Sequence, residues 1–209
     1  MTLPSHKLEQ RLFRNGYKSI CAVDEVGVGC LAGPVVACTV RIKKPFLKQK
    51  NILKNVRDSK LLTPRQREKL YAQLINNRYI THSISYSLPR TIDKYNIYNA
   101  SRNTMKRSAQ NIISLNSVLL VDGPRELKNM HLPQQAIIKG DRKVIVIACA
   151  SVIAKVHRDR MMKRYAKRYP GYGLEQHKGY GTKYHIAQLA SLGPSKIHRK
   201  SFAPVARLL

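Results

Sequence analysis

The segment VDEVGVGCLAGPVV, residues 23–36, closes one apolar run on two adjacent carboxylates, crosses a glycine-spaced stretch and opens a second apolar run. Apolar runs of this length bounded by Gly and Pro read as strands, so residues 17–24 and 33–42 are expected to form a hairpin joined by a tight turn. YITHSISYSL (79–88) alternates as a half-buried strand, while SVLLVD (117–122) and QAIIKGD (135–141) are short β-type runs that each end at an Asp. Helical patterns lie between them. TPRQREKLYAQLINN (63–77) offers Thr63 as N-cap, Pro64 at the first helical position, and Leu70, Leu74 and Ile75 at helical spacing. Residues 92–115 put Ile97, Met105, Ala109 and Ile112 on one face with no breaker, which predicts one long helix. KKPFLKQKNILKN reads as a basic connector, residues 144–169 as at least partly helical, and a loop then leads to a short helix from about Thr182. No repeat or low-complexity linker interrupts the pattern, so an α/β fold with one central sheet in a single globular domain is expected.

Charge narrows the function. The 209 residues carry 39 Lys and Arg against 11 Asp and Glu, a formal net charge of +28. Such a surface repels itself and implies a polyanion that releases counterions on binding, nucleic acid ahead of a membrane surface; a solvated basic face without a partner is the plainer alternative. Cys21, Cys30, Cys38 and Cys149 lie in apolar sequence with no C-x-x-C pair, so they read as small buried hydrophobes in a reducing compartment. The N-terminus lacks the apolar core of a secretory signal, and no run approaches the roughly 18 apolar residues of a membrane span. The expectation is a soluble, unprocessed, cytoplasmic protein with no membrane partner.

In so basic a chain the acids are informative. Asp24 and Glu25 follow one predicted strand, Asp122 follows a second and Asp141 closes a third run. Strand ends of an α/β sheet converge where ligands commonly sit. Crowded carboxylates raise one another's pKa unless a cation neutralises them, and oxygen-only clusters suit Mg²⁺ or Mn²⁺. Two such ions activate a water and stabilise the leaving oxygen of a phosphodiester, which points to a nuclease. Taken singly, an Asp after a strand is more often a turn residue or a helix cap.

Seven ordered motifs strengthen the case: AVDEVGVGCLAGPVV, DSKLLTPRQREKL, IDKYNIYNAS, VLLVDG, KGD, ASVIAKVHRD and QHKGYGTKYH. Together they resemble the landmarks of the bacterial ribonuclease HII family, from about residue 17 to HRKSFAPV near the C-terminus. The resemblance implies an RNase H-like fold, a central mixed sheet flanked by helices with a small helical C-terminal portion. It sets residues 1–16 apart as an N-terminal extension of a catalytic domain spanning 17–209. It further implies an endoribonuclease that cuts RNA in RNA–DNA hybrids and 5′ to single ribonucleotides embedded in duplex DNA, acting as a monomer. Cleavage would use Mn²⁺ or Mg²⁺ at a two-metal site and leave 3′-hydroxyl and 5′-phosphate ends.

Carried over by motif, Asp24, Glu25, Asp122 and Asp141 are the catalytic, metal-binding acids. Tyr180 is the residue that stacks on the sugar next to the ribonucleotide, where a 2′-hydroxyl would clash. Ser59 and Lys60 of DSK are expected at the backbone phosphate, the alternative being a helix-leading turn with a solvated lysine. Lys155 reads more readily as exposed than as facing substrate. Asp159 reads as a structural acid ion-pairing beside Arg158, and His157, His177 and His185 as surface or loop residues.

One departure stands out. The family turn usually reads G-R-G, and here it is Gly27, Val28 and Gly29. Both glycines still let main-chain amides approach a ribose, but the guanidinium is missing. Cys30 in place of proline and Pro124 in place of asparagine carry no evident chemical cost. Val28 motivates an alternative, a catalytically weakened nucleic-acid-binding protein on the same fold. Against it, a chain that only binds phosphates gains nothing from four crowded negative charges. A structural RNA-binding protein would explain the charge but not the motif series.

Overall fold

In the computed structural model, which describes residues 4–56 and 62–209, the apolar runs pair into one five-stranded sheet of order β3-β2-β1-β4-β5. β1 (Ser19–Val26), β2 (Val35–Lys43) and β3 (Ile80–Ser87) are antiparallel neighbours, and β4 (Ser117–Asp122) and β5 (Gln134–Ile137) continue the sheet in parallel from β1. β1 is covered on both faces, which is why it reads as a continuous apolar run. Ile20, Ala22 and Val26 enter one core layer while Cys21 and Val23 enter the other. The expected hairpin forms, but its connection is a long loop over 27–34 instead of a tight turn.

In chain order the helices are α1 (Lys7–Arg14), α2 (Lys50–Leu53), α3 (Pro64–Ile75), α4 (Pro89–Tyr95), α5 (Ile97–Gln110), α6 (Ile145–Arg168), α7 (Leu174–His177), α8 (Lys183–Leu192) and α9 (Ala203–Ala206). The first half of α6 is buried all round, as an inside helix must be if it is apolar on every face, and its second half is basic. α5 covers the opposite face through Met105 and Ala109. α3 starts on Thr63 as expected, with a reciprocal capping box to Gln66.

Two expectations fail locally. The long helix over 92–115 is two helices, because Asn96 takes φ +62° and caps α5, accepting from the Asn99 N–H at 3.0 Å. Asparagine is one of the few residues that enters this region, so the break carries neither Gly nor Pro. The basic connector folds into a 3₁₀ turn (Lys44–Lys48) and α2, anchored by buried Phe46 and Ile52. α7, α8 and α9 gather around a smaller core in which Leu31 and Ala32 of the 27–34 loop meet Met162, Leu174, Leu189 and Val205. All four cysteines are buried and free, and among the described residues no helix is long and apolar enough to cross a membrane.

Residues 4–16 pack on the main core through Leu12 and Phe13 of α1. Glu9, also in α1, is fully buried and accepts from the Val146 N–H at 3.0 Å, capping α6 from across the chain. Its other oxygen has no hydrogen-bond partner among the described residues. Burial, only partly offset by nearby backbone N–H groups, pushes the carboxyl up from 4.5 to about 7. Below pH 4.5 Glu9 is protonated folded or unfolded. Between pH 4.5 and 7 the unfolded chain ionises this group while the folded state keeps it protonated, so roughly 3 kcal/mol of stability is lost across that window. Glu9→Gln is therefore expected to raise stability at pH 8 by up to that amount and to change little at pH 4.5, as read by denaturant unfolding at the two pH values.

Candidate active site

β1 lies beside β4 in a register that pairs Val23 with Val121, so Asp24 and Asp122 follow next to each other at one end of the sheet. Strand alternation sends Asp24 toward α6 and Glu25 to the opposite face. Because β1 ends at Val26, both reach a cavity of about 320 Å³ whose lining also includes Asp122, Asp141, Ser151, Lys155 and Tyr180. Asp141 arrives by a different route from the one expected. β5 stops at Ile137, Lys139 takes φ +55°, and Asp141 sits in a 3₁₀ turn, Gly140–Arg142, not at a strand end. Gly140 permits this close packing. Its N–H donates to Asp122 Oδ1 at 2.7 Å, and a Cβ there would lie 2.5 Å from Ile147 Cδ1.

The crowding has an electrostatic signature. Burial, then the charges of Glu25, Asp122 and Asp141, push the Asp24 carboxyl well above the usual range, against a hydrogen bond from Ser151 of α6. Four carboxylates that repel at Asp24 offer an oxygen-only donor set, which fits Mg²⁺ or Mn²⁺ in chemistry. The oxygens are not drawn together in advance. Asp24 Oδ1 accepts from the Glu25 N–H at 2.7 Å, and among the described residues no three His, Cys, Asp or Glu side chains already stand as a ligand set. A larger cavity of about 720 Å³, lined by Tyr17, Asn116 and His131 among others, has no carboxylate in its lining.

Two fully buried arginines shape the 27–34 loop. Arg199 donates to the carbonyls of Gly33 (3.1 Å), Val28 (2.8 Å) and Gly27 (2.6 Å). Arg158 donates to those of Pro34 (2.9 Å), Lys178 (2.8 Å) and Ala32 (3.1 Å). In a trans peptide the N–H points opposite to the preceding C=O. Holding the Gly27 and Val28 carbonyls inward therefore turns the Val28 and Gly29 N–H groups away from Arg199. Gly27 has φ +94°, and a Cβ there would lie 2.2 Å from Arg158 Nε, so only glycine fits.

Sequence reasoning missed both arginines. Asp159 pairs with Lys155 at 2.6 Å and not with Arg158, because adjacent helical residues do not share a face. Arg158 follows Ser151 and Ala154 along the buried stripe of α6, a signal that was available. Arg199 carried none.

Tyr180 stands at the cavity lip, 38% exposed, with Lys155 Nζ 5.9 Å from its ring centroid. Lys155 is thus part of the cavity lining, not merely exposed. The Tyr180 backbone bridges Cys30, and the Gly179 carbonyl accepts from the Leu31 N–H at 2.8 Å. His185 is buried, against the expectation of a surface or loop residue, and buried His198 was not singled out. Ser59 and Lys60 lie outside the described residues.

A family model described as Ribonuclease HII matches residues 21–205. The Ribonuclease HII of Caldicellulosiruptor saccharolyticus is 46% identical over 196 residues, covering 94% of this chain and 92% of that protein. That of Bacillus subtilis is 45% identical over 201 residues, covering 94% and 74%. Among solved structures, the ribonuclease H2 of Pyrococcus horikoshii matches with a TM-score of 0.76 at 23% identity, covering 91% of this chain and 96% of that one. Bst-RNase HIII in complex with Mn²⁺ matches with a TM-score of 0.72 at 15% identity, covering 94% and 71%. At these identities the two structures speak for the fold, a mixed sheet between helices. With relatives above 40% identity along nearly its whole length and a family match over residues 21–205, the chain belongs to the ribonuclease HII family and is an endoribonuclease of RNA–DNA hybrids.

Proposed function

We propose that the four-acid cavity is the hydrolytic centre, with Asp24, Glu25, Asp122 and Asp141 holding two divalent ions, Mn²⁺ or Mg²⁺. The strand is cut 5′ to a ribonucleotide, in long hybrids and at single ribonucleotides within duplex DNA, leaving 3′-hydroxyl and 5′-phosphate ends. The observation that carries this reading is the meeting of four of only eleven acids at one cavity of a chain with net charge +28. Held by these four carboxylates, ions of this class would supply an activated water and a counter-charge for the leaving oxygen. Mn²⁺ is present in the structure of Bst-RNase HIII, which supports the choice of metal.

The chain's own residues do the rest. Ser151 orients Asp24 and the Gly140 N–H orients Asp122. The Val28 and Gly29 N–H groups are available to a ribose 2′-hydroxyl, Lys155 attracts the adjacent phosphate, and the Tyr180 ring stacks on the following deoxyribose. The protein acts as a cytoplasmic monomer. A weakened binding protein on the same fold is not favoured, since the acids are all present.

Cleavage of a duplex bearing one ribonucleotide and of a long RNA–DNA hybrid, with Mg²⁺, Mn²⁺ or a chelator, tests the proposal. Cutting of both substrates that stops with the chelator is expected; no cutting with either metal sinks it. In the same assay Val28→Arg supplies the missing guanidinium, at a position 37% exposed on the cavity lining. A well-formed phosphate contact is worth about 1.5–3 kcal/mol, so KM should fall by roughly tenfold or more. An unchanged KM on both substrates means the contact is dispensable.

A further inference from the structure

Behind Tyr180 two buried imidazoles lie in line. The His198 ring accepts at Nδ1 from the Ser195 N–H at 3.0 Å and from Ser195 Oγ at 2.9 Å. His198 Nε2 stands 3.1 Å from His185 Nε2, and His185 Nδ1 stands 2.9 Å from the Tyr180 carbonyl. The backbone at the two ends dictates every proton between them. A backbone N–H can only donate, so His198 Nδ1 is bare and its proton is on Nε2. His185 Nε2 must then accept, which leaves the His185 proton on Nδ1, where it is donated to the Tyr180 carbonyl.

A second proton on either ring would set two donors face to face at about 3 Å, so both rings are neutral. Burial and the neighbouring imidazoles agree, lowering His198 to about 4 and lowering His185 as well. The titratable groups packed around the pair are His177, stacked on His185 at 4.3 Å, and Tyr172, whose ring lies 4.8 Å from that of His198. His177 follows the same logic. It donates from Nε2 to the Tyr172 carbonyl at 2.7 Å and accepts the Gly179 N–H at Nδ1 at 3.1 Å.

We propose that His185 and His198 are positioning residues for substrate discrimination: a one-way hydrogen-bond chain from Ser195 through both rings fixes the Tyr180 carbonyl and so the place of the Tyr180 ring on the cavity wall. This rests on the reading that Tyr180 stacks on the sugar after the ribonucleotide. The chain acts on backbone, so it sets where the ring stands without touching the reacting atoms. A displaced ring harms the junction substrate most. In a long hybrid the following sugar carries a 2′-hydroxyl that the ring cannot stack on in any case.

Two variants and one spectrum test this. His185→Leu removes the side-chain donor to the Tyr180 carbonyl, which then keeps only the Thr182 N–H at 2.9 Å, whereas His185→Asn retains a side-chain donor, since the Asn amide nitrogen takes the place of Nδ1. The ratio of kcat/KM on a single-ribonucleotide duplex to that on a long hybrid is expected to fall roughly 10- to 100-fold in His185→Leu, the scale of an ångström-size misplacement. It is expected to recover in His185→Asn. Imidazole ¹⁵N shifts of the unmodified protein at pH 7 should show His185 protonated at Nδ1 only and His198 at Nε2 only. Equal losses on both substrates, no recovery with Asn, or the opposite tautomers overturn the proposal. Unmodified protein that cuts neither substrate overturns the functional reading instead, a defect distinguishable because it precedes any substitution.

Discussion

The Asp24→Asn protein is expected to bind an RNA–DNA hybrid as tightly as the unmodified chain and to cut it about a thousandfold more slowly or worse. In the proposed mechanism the basic surface carries binding and the acids carry turnover, so the two separate. On the proposed reading Asp24 would be a metal ligand, and losing one forfeits several kcal/mol of transition-state stabilisation, each 1.4 kcal/mol being tenfold in rate. The same substitution should raise the thermal midpoint in chelator. Asp24 is buried, as is Asp141, and its charge is opposed by Glu25, Asp122 and Asp141. Lower activity with higher metal-free stability is the signature of a site held against its own repulsion. Retained turnover would remove Asp24 from the hydrolytic centre.

Arg199→Lys is expected to be the most destabilising conservative change in the molecule, by about 3–5 kcal/mol. Three carbonyls, those of Gly27, Val28 and Gly33, accept from one planar fork. An ammonium cannot reach all three, and each carbonyl that loses its hydrogen bond from the charged donor forfeits about 1.5–3 kcal/mol. Burial brings the guanidinium down to about 10, so it stays charged at neutral pH in both states and the loss does not depend on pH there. At 2–4 °C per kcal/mol for a domain of this size, the midpoint should drop by roughly 10 °C in a thermal melt. A shift under about 2 °C would mean that the loop holds its shape without the arginine.

These two residues mark what the sequence discloses and what it hides. Asp24 could be found because it ends an apolar run beside Glu25 in a chain nearly free of acids, and strand ends are local features. The sheet was legible for the same reason: β1, β2, β3 and β4 are each announced by their own residues. Arg199 was invisible. Nothing in HRKSF says that a basic residue lies fully buried against a loop some 170 positions away, since its partners are carbonyls, which every residue has. His185 and His198 were hidden likewise, because their pairing depends on how α8 and the segment before α9 fold back on each other. Asn96 and Asp141 failed more mildly. A positive φ at Asn96 and a 3₁₀ turn at Asp141 are backbone choices that a periodicity argument does not see.

α6 carries Ser151 against Asp24 at one point and Arg158 against the Pro34 and Lys178 carbonyls two turns further on. That interval is about 10 Å at 1.5 Å per residue. A straight helix is hard to stretch, so it holds the four-acid corner at a set distance from the wall that bears Tyr180. The spacing of the two is thereby written into the pitch of a single rod, and inserting one residue between those two points would swing the wall about 100° out of alignment.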